Sequence, residues 1–157
     1  MAQQITEDED YALQTCLLDV ANILVKIRER ELLSQNLSAT AADILFLVNA
    51  MGEEVTPSKI RRMMLRELAA ITRILVHMET QGLIERTKNL ERKNQVRITL
   101  TAKGEEARTQ AMKNQGATGV MNKLSAVQQK QLKTTLTVLK EAGTIELRLG
   151  PKALIWP

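Results

Sequence analysis

Ten basic side chains stand between Thr56 and Arg97: Lys59, Arg61, Arg62, Arg66, Arg73, Arg86, Lys88, Arg92, Lys93 and Arg97. Only four acidic ones, Glu67, Glu79, Glu85 and Glu91, share that segment. The whole chain of 157 residues carries a formal charge of +4, so everything outside the segment is net acidic. Clustered guanidinium and ammonium groups release counterions from a phosphate backbone, and the chemistry on offer is capture of a polyanion. A basic run by itself more often marks a solvated face. The pattern around it has to decide.

Other chemistry has little material. The one histidine, His77, lies four residues after Arg73 and so near the same outward helical face, where it suits a surface or phosphate contact better than catalysis. Metal ligands at the usual spacings are missing, and no glycine-rich phosphate loop follows a strand. No cofactor, metal or enzymatic activity is therefore expected. Gly116 and Gly119 fall inside a helical pattern, where each costs about 1 kcal/mol relative to alanine; they suggest a kink or a close helix crossing. The lone Cys16 cannot form a bridge within the chain. Its neighbours Leu17, Leu18 and Val20 predict a buried, unreactive thiol.

The elements that position the basic groups can be read from apolar spacing. Leu68, Ile71, Ile74, Leu75 and Met78 recur at three- and four-residue steps, the signature of one buried helical face, and leave Thr72, Arg73 and Val76 outward. Gly82 follows where a left-handed helix stop is wanted. A strand then begins at Leu83, and a second alternates Val96, Ile98 and Leu100 against Gln95, Arg97 and Thr99. Between them the polar, basic stretch from Lys88 to Asn94 reads as a projecting loop. Upstream, Thr56 is a good N-cap with Pro57 at the first helical position. A helix from Ala41 to Met51 closes at Gly52.

A long first helix starts near Glu7 and ends at the Ser34, Asn36 and Ser38 punctuation. It carries two apolar stripes, Leu17, Ala21 and Leu24 beside Cys16, Val20, Ile23 and Ile27, more than one core needs. After the strands, Thr101 should open a helix running to about Lys123. Ser125 with Gln128 makes a capping box for a last helix ending near Gly143. Ile145, Leu147, Leu149, Leu154, Ile155 and Trp156 are too apolar for a free tail; either they join an interface or they fold back on their own subunit. The first ten residues are polar and acidic, unlike a signal peptide, and no apolar run approaches the roughly 20 residues of a membrane span. A cytoplasmic chain with no membrane partner is expected.

The run Thr72-Arg73, then Gln81-Gly82-Leu83-Ile84-Glu85-Arg86, then Leu100-Thr101-Ala102-Lys103-Gly104 resembles the MarR family of bacterial and archaeal transcription regulators, from Thr56 to Glu106 without a gap. That resemblance implies a mainly α fold with a small antiparallel β wing, a winged helix-turn-helix at residues 39–101. It would be flanked by a helical dimerisation region made of residues 1–38 and 102–157. It also implies a homodimeric repressor on a pseudo-palindromic site in double-stranded DNA. The residues expected to face DNA are Ser58, Arg61, Arg62, Arg66, Ala69, Ala70, Thr72, Arg73, His77, Arg86, Lys88, Arg92 and Lys93. The segment Ala69 to Thr80 would enter the major groove.

Two departures from the family pattern bear on those contacts. Ala69 and Ala70 stand where relatives commonly place serine or threonine, and in the wing Arg92 and Asn94 replace an aspartate and arginine. Arg92 and Lys93 then suit phosphate contact better than a minor-groove role. A helical interaction protein that has lost operator binding is one alternative these changes leave open. Another is a redox-sensing regulator using Cys16, although the tyrosines that hold the cysteine in such relatives are reduced here to Tyr11. The family also leaves room for a small-molecule effector. With only Tyr11, Phe46 and Trp156 as aromatics, its identity is not legible, and a pocket lined by Met63, Met64 and Leu65 competes with a core role for those side chains.

Overall fold

The computed structural model describes residues 6–52, 55–88, 96–113 and 116–148. The elements run α1 (Glu7–Leu33), α2 (Ala39–Met51), α3 (Pro57–Met64), α4 (Leu68–Thr80), β1 (Ile84–Lys88), β2 (Val96–Leu100), α5 (Ala102–Met112), α6 (Gly116–Met121) and α7 (Ala126–Glu146). Side-chain caps begin most of the helices. Ser38, Thr56, Thr101 and Ser125 each accept a bond from a first-turn N–H, and Ser125 and Gln128 complete the expected capping box.

Helices α2, α3 and α4 enclose the core with the base of the wing. Ile44 and Leu45 of α2, Ile60 of α3, Ile71, Leu75 and Met78 of α4, and Ile84 and Ile98 of the strands are all fully buried. Leu68 departs from the expected face of α4 and is exposed, because it stands at the first position of the helix beyond the reach of the core. The strands pair antiparallel, Ile84 with Leu100 through Lys88 with Val96. Val55, buried just before α3, accepts a bond from the Ile98 N–H at 3.0 Å, so the entry to the helix-turn-helix is tied to the wing.

Two features hold α4 in place from its C-terminal end. At the first, Gly82 takes a left-handed φ of +70° as the chain leaves α4, and the start of α5 packs directly on that corner. Thr101 donates its hydroxyl to the Gly82 carbonyl at 2.6 Å, and Lys103 Nζ donates to the Gln81 carbonyl at 2.8 Å. Gly104 sits so close that an added Cβ would stand 2.0 Å from the Leu83 carbonyl oxygen. The second is an ion pair between α4 and β1. Arg86 Nε donates to Glu79 Oε2 at 2.7 Å, a second guanidinium nitrogen donates to the same oxygen, and the Glu79 carboxyl is held below its usual range chiefly by these bonds.

Some expectations are corrected. The helix opened by Thr101 does not continue to Lys123 but stops at Met112, and α6 begins afresh at Gly116. The cause is tertiary: the Gly116 N–H donates to Glu31 Oε1 of α1 at 2.6 Å, and a Cβ there would meet Ile27 at 2.8 Å. Gly116 is thus the close crossing, whereas nothing lies near Gly119. The last helix runs past Gly143 to Glu146, and the first strand starts at Ile84. Cys16 is exposed in the single chain. Its neighbours Leu17, Leu18 and Val20 are exposed too, because α1 contacts the remainder of the fold through its C-terminal half, at Ile27, Arg28, Glu31 and Leu32. Leu149, Leu154, Ile155 and Trp156 lie outside the described residues.

Replacing Gly104 by alanine is expected to destabilise the chain by about 2–3 kcal/mol or more, since the obstructing atoms are backbone. Gly119→Ala should be neutral or stabilising by up to about 1 kcal/mol, and urea unfolding of the two variants measures the contrast. Glu79→Gln should lower stability at neutral pH. Because the folded carboxyl titrates below its unfolded counterpart, the stabilisation is present above the unfolded pKa and is lost as pH falls through the folded one. The parent and variant unfolding midpoints should therefore converge on acidification.

Candidate nucleic-acid interface

Helix α4 is buried on one side by Ile71, Leu75 and Met78, and that burial fixes what the other side presents. Ala69, Thr72, Arg73, Val76, His77 and Thr80 are exposed, while Ala70 is half-buried at the margin. The turn before α4 is made by Leu65, which caps α3 in the left-handed region at φ 51°. A leucine there gives no sequence signal, and its strain sets the angle at which α4 leaves α3.

Around this face the residues expected to face DNA fall into groups. Ser58, Arg61 and Arg62 are exposed on α3, and Arg66 is exposed in the turn. Lys88 is exposed at the outer end of β1. Arg86 is a different case: half-buried and bound to Glu79, its guanidinium ties α4 to the wing, a role that sequence spacing could not reveal because the partners lie across the Gly82 corner. Arg92 and Lys93 lie outside the described residues. Those described thus surround α4 on two flanks, from α3 and from the wing.

Behind the exposed face, Arg73 and His77 also border a groove of about 420 Å³ between α4 and the corner joining α1 to α2, with Leu37, Ser38 and Ile74 on its walls. A second cavity, about 400 Å³, lies among α1, α2, α5 and α6. Phe46, Ala42, Ala111, Met112 and Ala117 give it an apolar wall. At its rim Arg28 is paired with Asp43 at 2.7 Å, and Arg108 with Glu105 at 3.0 Å. Met63 and Met64 border neither of these two; Met63 is buried and Met64 packs on the core. Among the described residues there is no cluster of His, Cys, Asp or Glu fit to hold a metal ion, and no helix is long and apolar enough to cross a membrane.

Comparison with known proteins agrees with this architecture. Residues 35–93 match the profile of the MarR family. The organohalide-sensing transcriptional regulator RdhR-CbdbA1625, in its 2,4-dichlorophenol-bound form, is 29% identical and superposes with a TM-score of 0.80 over 100% of this chain and 96% of that one. A mutant MarR from E. coli, solved in complex with operator DNA, gives 0.75 at 21% identity over 84% of this chain and 96% of that one. The transcriptional regulator SlyA gives 0.75 at 22% identity over 85% and 95%. No curated protein sequence is significantly similar. The exposed α4, the flanking basic groups and the β wing, with the profile matched over residues 35–93 and the superpositions, show the winged helix-turn-helix fold of MarR-family transcription regulators.

Proposed function

We propose that this chain is a sequence-specific DNA-binding repressor that acts as a cytoplasmic homodimer on a pseudo-palindromic duplex site, by binding alone and without catalysis. The observation that carries the DNA reading is the face of α4. It is exposed along its length, clear of the core, and flanked on both sides by unburied basic residues. A helix held that way fits a major groove, with Arg73 as the side chain able to form a bidentate bond to guanine. Arg61, Arg62, Arg66 and Lys88 serve the phosphates, as do Arg92 and Lys93 of the wing.

The dimer reading rests on α1 and α7. None of the residues of α7 is buried in the single chain, and Ile145 and Leu147 beyond Gly143 are 77% and 63% exposed. Leu13, Leu17, Leu18, Val20 and Ile23 expose the N-terminal half of α1 likewise. Helices with so little tertiary packing are marginal in water, and a second copy supplies the missing surface. The same contact would cover Cys16, which accounts for an apolar stretch that one subunit leaves bare.

A small apolar effector with one polar group suits the cavity beside Phe46, whose volume is in the range of ligand sites. The dichlorophenol of the 29% identical regulator is of that kind. Its seat between the arms and α2 lets occupancy change the angle of the reading head.

Selection from random duplexes should enrich one palindromic sequence. Arg73→Ala should weaken binding to it by about 1–3 kcal/mol, with little change on scrambled DNA. Neutralising Arg61 and Arg62 together should weaken both duplexes alike and flatten the salt dependence by about two units of slope. Binding of Arg73→Ala equal to the parent would reject this division of roles. Sedimentation at micromolar concentration should give twice the mass of one chain, and a monomer with full helix content would reject the dimer.

A further inference from the structure

The side chains that α4 turns outward carry methyl groups and few free hydrogen-bond donors. Ala69, Thr72, Val76 and Thr80 follow at three- and four-residue steps, and all are exposed. The two hydroxyls among them are already committed. Thr72 Oγ1 donates to the Leu68 carbonyl at 2.8 Å, and Thr80 Oγ1 donates to the Val76 carbonyl at 3.0 Å. Each hydroxyl is therefore turned back on its own helix, leaving the γ-methyl as the free group of its side chain. Val76, with 45% of its surface exposed, completes an apolar strip with no stabilising role in the core. Arg73 and His77 border it on one side only, toward the groove beside α1.

Of the groups a base pair presents in the major groove, one is apolar: the C5-methyl of thymine. Donors would be needed to read guanine, and paired donor and acceptor to read adenine. On this face Arg73 and, at its edge, His77 supply the first, and no asparagine or glutamine supplies the second. We propose that α4 reads its site chiefly through thymine methyl groups, with Thr72 and Val76 as the specificity-determining contacts and Arg73 as the principal guanine reader. This rests on the reading of α4 as the DNA-recognition helix. The N-terminal part of such a helix lies deepest in the groove, so Ala69, Thr72 and Val76 weigh more than Thr80.

The test uses the full chain and the duplex enriched from random sequence, with each thymine of a half-site replaced in turn by deoxyuracil, which removes only the methyl group. Loss of affinity of about fourfold per contacted methyl is expected, at two or three adjacent positions of each half-site. Thr72→Ser and Val76→Ala should lose a similar factor on the thymine duplex and nothing further on the duplex whose matching thymine is deoxyuracil. Thr72→Ser keeps the hydroxyl bound to Leu68, so helix geometry is preserved. If a sequence is enriched but every deoxyuracil duplex binds like its parent, methyl readout is overturned while DNA recognition by α4 stands. If no sequence is enriched, both are overturned.

Discussion

The first turn of α5 lies against the corner at Gln81 to Leu83, and the rest of the molecule depends on that contact. It exists because Gly104 has no Cβ: any side chain would collide with the Leu83 carbonyl. Thr101 and Lys103 then bond to the Gly82 and Gln81 carbonyls, groups left without helical partners where α4 ends. One small patch of backbone thus joins α4, the first strand of the wing and α5.

The chain divides its labour by surface type. Its basic excess lies in the head, while the exposed apolar residues of α1 and α7 lie in the arms. In the dimer proposed above, pairing would cover these arms and set the separation of two heads. On that proposal dimerisation and recognition of a two-fold site would be one geometric property. Ion pairs at the joints, Arg28 with Asp43 and Arg86 with Glu79, orient these parts without burying an unpaired charge.

Periodic features are legible in the sequence and tertiary ones are not. The apolar rhythm of α4 beyond Leu68, the Gly82 stop and the caps at Thr56, Thr101 and Ser125 are local, and the fold keeps each of them. The break between α5 and α6 escapes because its cause, Glu31 taking the Gly116 N–H, lies 85 residues away in the chain. Leu65 in a left-handed turn breaks the local rule that would favour glycine, so composition does not mark it. Arg86 reads as a free cation until the corner at Gly82 brings Glu79 beside it. The apolar neighbours of Cys16 suggest burial, yet they are themselves uncovered within one chain. Of the reading face, the outward positions are legible; the commitment of the Thr72 and Thr80 hydroxyls is not, since rotamer choice leaves no trace in the sequence.

Methylation protection of the bound duplex is the most direct measurement of whether α4 enters the major groove, because dimethyl sulfate attacks guanine N7 there and adenine N3 in the minor groove. The account predicts guanine protection in two tracts related by the site's two-fold axis, about one helical turn apart, that disappears when the chain is omitted. Protection confined to adenine N3, or a bound duplex whose guanines all remain reactive although they lie within the site, would contradict it.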